Sequence, residues 1–382
     1  MRELLLVVPD LPPSGAAACA PSAMPAPALA RLRFGGARRL RGGWRSWLAA
    51  RCGRPDLDGL PLAAVVAAAL PRPISAAAVT DSAASKQGDT SNQGEISGSA
   101  WLATPLHLVA GLDTVHLRQD GIVRLDVPER EALAAGFAAA LGGGRLQLSP
   151  AGAEAFVLQG LDLDAVQTVE PVDCLGGSLA DAQPSGPGAV GLRRLMSEIE
   201  MWLHEHPVNL QRVARGARPV NALWLWGGAA TQRPAIAGFG AVAAAGAGRR
   251  PVPDAAADAV PDGVAAIVRD DTVPQCVYAD DAWTRAVVRL AGLELAPEGV
   301  TPDPAAFALA GDALVVARWH AADPPDAAAF EARFLEPALA ALRRGALGRL
   351  TLVTAGRVVT VEAGDRFRWW RPRRDWLTAL EV

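Results

Sequence analysis

One stretch of this chain dictates what must surround it. Leu192, Leu195, Met196, Ile199, Trp202 and Leu203 fall at i, i+3, i+4, i+7, i+10 and i+11, which places them on one stripe of a helix. Arg193, Arg194, Ser197, Glu198 and Glu200 lie elsewhere around the axis. A helix with one apolar stripe must bury it against another layer. Pro207 stops this helix, and Asn209 is suited to cap a short second helix through Arg215, which Gly216 and Pro219 end. The apolar run Val220–Trp226 then reads as a buried strand closed by Gly227-Gly228.

The rest of the chain alternates in the same manner. Leu4 to Val8 is a short, fully buried strand ended by Pro9-Asp10. An acidic residue there either presents itself to a ligand at the strand's C-terminal end or forms a polar turn. Helices are expected over Ala26–Leu32 and Trp44–Cys52. Strands follow at Trp101–Leu108, Thr114–Arg118 and Ile122–Leu125, then a helix over Pro128–Leu141 and strands near Arg145–Leu148 and Ala155–Leu158. Beyond lie a strand near Ala265–Val268, a helix over Ala282–Ala291, a strand over Ala313–Trp319, a long helix from Ala327 to Arg344, and a hairpin of Leu350–Val353 with Val358–Glu362. Residues 75–99, 176–191 and 229–263 are poor in large apolar side chains and read as loops, the first as a flexible linker. The pattern predicts an α/β protein with its sheet covered on both faces. Residues 1–74 and 190–382 would form the core, with an α+β unit inserted at 100–175 and a low-complexity loop at 229–263.

Bulk properties exclude some partners. The chain carries 37 basic and 40 acidic residues, a formal charge of −3, which argues against nucleic acid or an anionic membrane surface. Leu4–Val8 is broken by Pro9, Asp10, Pro12 and Pro13, too short for a secretory leader, and no run approaches the ~18 residues of a membrane span. Cys19, Cys52, Cys174 and Cys276 form no CxxC pair and read as reduced thiols, so the expected location is cytoplasmic.

The segment His206-Pro207-Val208-Asn209, then Arg212, Gly216, Pro219 and Asn221, leading by an apolar strand into Gly227-Gly228, resembles the cofactor-independent phosphoglycerate mutases of the archaeal type. Leu5–Asp10 is similar to that family's opening strand with its acidic metal ligand, Trp283–Leu293 to the helix after the return to the catalytic domain, and Val315–His320 to a later strand ending in histidine. Trp101–Leu108, the helix and corner Met196–Asn209, and the aromatic-arginine C-terminus resemble a bacterial subgroup known as RpfE-type regulatory proteins. The resemblance implies an alkaline-phosphatase-like α/β/α sandwich with a smaller inserted α+β unit. It also implies a small phosphorylated or carboxylated ligand near Asp10, His206, Asn209, Arg212, Asn221 and His320. The residues alone leave another reading open, in which Pro207 and Asn209 shape a helix corner and Arg212 pairs with Glu205.

The departures from that family bear on chemistry. Its phosphoryl transfer uses two divalent ions that clamp the attacking and leaving oxygens, a Ser or Thr nucleophile, and about six or seven Asp and His ligands. This chain has five histidines: His107, His116, His204, His206 and His320. After His320 come Ala321-Ala322-Asp323-Pro324-Pro325-Asp326 with no second histidine, and Ala355-Gly356 follow Leu352-Val353-Thr354 where an Asp-His pair is expected. Ser14 and Ser22 lie in Ala- and Pro-rich surroundings that suit no nucleophile. The expectation is a dismantled two-metal site. Asp10, His320 and Asp323 are the weak metal candidates, and manganese or magnesium is implied only if mutase activity survives. An active mutase is the alternative. A third possibility is an interaction module built on Arg368, Trp369, Trp370, Arg371, Arg373 and Trp376, where arginines and stacked indoles grip a protein or, less in keeping with the charge, nucleic acid. Against it, the same aromatics can bury on the sheet while the arginines stay solvated.

Overall fold

A computed structural model describes residues 2–9, 37–40, 42–70, 100–112, 114–142, 145–163, 165–228, 274–300, 312–317, 330–354 and 356–362. The expected helix at 26–32, the linker at 75–99, the strand near 265–268, and the C-terminal arginines and tryptophans lie outside these residues. Asp10, His320 and Asp323 lie outside them too.

The strands form two sheets among the described residues. In the core sheet β1 (Glu3–Val7) runs parallel between β11 (Ala313–Val316) and β12 (Arg349–Val353), Leu4 opposite Ala313 and Leu350. The parallel set continues from β11 to β9 (Cys276–Ala279) and β10 (Glu294–Leu295), whereas β13 (Arg357–Glu362) and β2 (Ala37–Arg39) add antiparallel strands beyond β12. A continuous apolar run suits β1 because both its faces are buried. Leu4, Leu6 and Val8 pack with Phe334, Leu335, Ala338 and Leu342 on one side. Leu5 and Val7 meet α1 (Gly43–Arg51), α2 (Leu62–Ala69) and α6 (Ala282–Leu290) on the other, through Leu48, Val65 and Val287. This is the mixed α/β architecture that the alternation of strands and helices predicts. The expected long helix is in two parts: Glu331–Leu335 is wound as a π-helix before α7 (Glu336–Arg344). Pro337 lacks the N–H that would bond the Arg333 carbonyl in a regular helix, which favours a wider turn there.

The second sheet centres on β3 (Ala100–Ala110). Its first residues pair with β6 (Ala155–Gln159), its last with β4 (Val115–Ile122), and its middle with β8 (Ala222–Trp226). The sheet is completed by β5 (Gln147–Gly152) on β6 and by β7 (Gly177–Ser178) on β4. α3 (Val127–Ala140), α4 (Ala189–His204) and α5 (Pro207–Ala214) cover it, with Leu133, Phe137, Leu192, Ile199 and Leu203 packed against Leu106, Leu117, Phe156, Leu158 and Trp224.

Three expectations change here. Residues 189–228 go with the second sheet rather than with the core, because β8 finds its partner in β3, and the stripe of α4 buries against the same layer. Ile122–Leu125 is no separate strand: β4 extends to Ile122, and Val123 and Leu125 donate singly to the Pro105 and Ala153 carbonyls. Asn209 lies inside α5 and does not cap it. The cap is His206, whose Nδ1 accepts the Val208 N–H at 3.2 Å. No described helix is long and apolar enough to cross a membrane.

Candidate functional site

The corner singled out by sequence is a set of internal ties. Asn209 Nδ2 donates to the Leu203 and Val220 carbonyls at 2.7 and 2.6 Å, and its Oδ1 accepts the Val220 N–H at 2.8 Å. The Arg212 guanidinium donates through Nη1 to both Glu129 oxygens at 2.8 Å and through Nε to the Arg218 carbonyl at 2.6 Å. Its partner is thus Glu129 on α3, not Glu205. Glu129 also accepts from Arg215 and from the Asp126 N–H, closing the capping box that starts α3. Asn221 exchanges two hydrogen bonds with the Leu108 backbone, at 2.7 and 2.8 Å. His206 is buried, which pushes its pKa down, and its ring meets Trp202 edge-on at 4.8 Å. The structure brings His206, Asn209 and Arg212 together in one corner, with His206 Nδ1, the Asn209 carboxamide and Arg212 Nε and Nη1 all engaged by the protein itself.

A second locus is the edge of the core sheet where the parallel strands end. Val7 is opposite Val316 on β11 and Val353 on β12, so the segments continuing toward Asp10 and toward His320 leave from neighbouring strand ends. Four of the five histidines stand elsewhere, on the second-sheet unit. The His107 ring lies 3.0 Å from the Pro219 carbonyl, and His116 is 2.9 Å from Thr114 Oγ1. His204 is exposed on the last turn of α4, and His206 caps α5. Among the described residues, no group of three or more His, Cys, Asp or Glu side chains is placed to hold a metal ion. Cys52 and Cys174 are buried thiols whose pKa is pushed up to about 12, so neither offers a thiolate near neutral pH.

The third locus, which sequence reasoning missed, is the junction between the two sheets. A cavity of about 340 Å³ opens there between α1, the loop Leu57–Leu62, the segment Thr168–Asp173 and the end of β8. A smaller one of about 50 Å³ adjoins it and shares Arg45, Glu170, Trp226 and Trp283. Arg45 Nη2 lies 2.8 Å from both Glu170 oxygens, with the guanidinium 4.7 Å from the Trp44 ring and 5.9 Å from that of Trp283. Trp44 and Trp283 meet edge to face at 5.6 Å. Trp226 Nε1 donates to Thr104 Oγ1 at 2.9 Å. Further ion pairs hold the junction from its flank, Arg124 to Asp280 at 3.2 Å and Arg130 to Glu298 at 2.9 Å. The available signal in the sequence was three tryptophans and an arginine scattered over Trp44, Arg45, Trp226 and Trp283, which only the fold collects.

No protein-family model matches the chain. A 2,3-bisphosphoglycerate-independent phosphoglycerate mutase of Methanothrix thermoacetophila is 44% identical over 64 residues, 17% of this chain and 16% of that protein. Its counterpart 2 in Methanothermobacter thermautotrophicus is 41% identical over 73 residues, 19% of this chain and 18% of that one. A probable enzyme of this name in Geobacter sulfurreducens is 39% identical over 59 residues. The matched stretch spans less than a fifth of the length of these relatives. Among solved structures, a cofactor-independent phosphoglycerate mutase from Thermoplasma acidophilum overlaps 95% of this chain and 90% of its own, at 16% identity and a TM-score of 0.34. A Pyrococcus horikoshii protein overlaps 94% of this chain and 87% of its own, at 11% identity and a TM-score of 0.40. Superpositions this loose carry no argument. Over the shorter matched stretch, the chain is phosphoglycerate mutase-like in sequence.

Proposed function

We propose that this chain is a phosphoglycerate mutase-like protein that recognises a small ligand in a regulatory role, without two-metal phosphoryl transfer. The partial sequence similarity to named mutases supports the ancestry. The observation that carries the rest is the position of the histidines: His107, His116, His204 and His206 all belong to the second-sheet unit, with partners or exposure of their own. Only His320 remains to serve the strand ends of the core sheet. One histidine cannot replace the several that a two-ion clamp of this type uses, and losing ligands from such a clamp removes the chemistry rather than slowing it. Asp10 and His320 remain the candidates for ligand contact at that edge, and the protein would work in the bacterial cytoplasm.

The test loads the full chain with manganese, desalts it, and measures bound metal by mass spectrometry alongside interconversion of 3- and 2-phosphoglycerate. The expected result is less than one equivalent of metal and no interconversion. About two equivalents per chain together with turnover would overturn this reading and restore an active mutase.

A further inference from the structure

We draw no further inference here: the strongest candidate, the cavity of about 340 Å³ at the junction of the two sheets, is lined by the carboxylates of Asp58, Glu170 and Asp173 beside an Arg45 already bound to Glu170, and an acidic cluster with nothing in the structure to show what occupies it names no ligand.

Discussion

The carboxamide of Asn209 spans the end of α4 and the entry to β8, holding the Leu203 carbonyl and both polar groups of the Val220 backbone. Asn209→Ala leaves the Val220 N–H and carbonyl without their side-chain partner in a buried corner, while the Leu203 carbonyl keeps the His206 N–H, and should cost about 2–4 kcal/mol in urea unfolding. Arg212→Ala exposes the Glu129 carboxylate to the same problem, with only Arg215 left as a cationic partner, and should cost about 3 kcal/mol. His206 adds a dependence on pH. Burial lowers its folded pKa, so the unfolded chain takes up a proton at a pH where the folded chain does not. Stability therefore falls as pH drops through about 6.5 and levels only below the lowered folded value. His206→Asn keeps a capping oxygen without titrating in this range. The wild-type midpoint should fall further than the variant's between about pH 7.5 and about pH 5.5. At this scale the sequence singled out these residues as candidates for ligand contact, and their partners within the protein were beyond its reach. Arg212 sits seven positions from Glu205 but meets Glu129 from a different helix, a contact that depends on how α3 and α5 pack.

Elements with strong internal periodicity could be read in advance. The stripe of α4, the apolar run of β1 and the hairpin of β12 with β13 follow from spacing alone, because 3.6- and 2-residue periods identify a buried face without reference to its partner. What covers that face is another matter. Ala222–Trp226 reads equally well as a core strand or as a neighbour of β3, and only long-range pairing decides. Short elements escaped as well: β2 has three residues and β9 four, too few to show a period, and α2 is a run of Ala, Val and Leu without a polar face. The capping box on α3 was legible in principle, as Asp126 followed by Pro128 and Glu129. Asp126→Ala removes its first half and should lower stability by about 1 kcal/mol, read as a shift in thermal midpoint.

Across the whole molecule, the division of labour is uneven. The second sheet, with α3, α4 and α5, is drawn from one continuous stretch, 100–228, and owns its hydrophobic cluster. The core sheet is assembled from separate stretches near residues 3, 37, 276, 313 and 349. A fragment of residues 100–228 should therefore fold alone with a cooperative denaturant transition, whereas residues 274–362 without β1 should not. Far-UV circular dichroism and urea titration of the two fragments check this. A non-cooperative 100–228 fragment would mean that the contacts of Leu102, Ala151 and Val157 with the core-sheet cluster are needed to hold the second sheet together. The junction cavity escaped sequence analysis for the same reason: its walls come from both units, and no local spacing relates Arg45 to Thr168 or Trp283.

The central place of β1 has a temporal consequence. Its neighbours β11 and β12 lie roughly 300 residues further along the chain, so at ordinary rates of synthesis they emerge tens of seconds after it. Throughout that interval Leu4, Leu5, Leu6 and Val7 have no strand to join, and an unpaired apolar strand is a template for the wrong one. The 100–228 unit, complete long before, can already be folded. A newborn molecule would thus pass through a stage with a finished appendage and an unfinished centre, and its yield in the cell should depend more on what shelters those few N-terminal residues than on the stability of the finished protein.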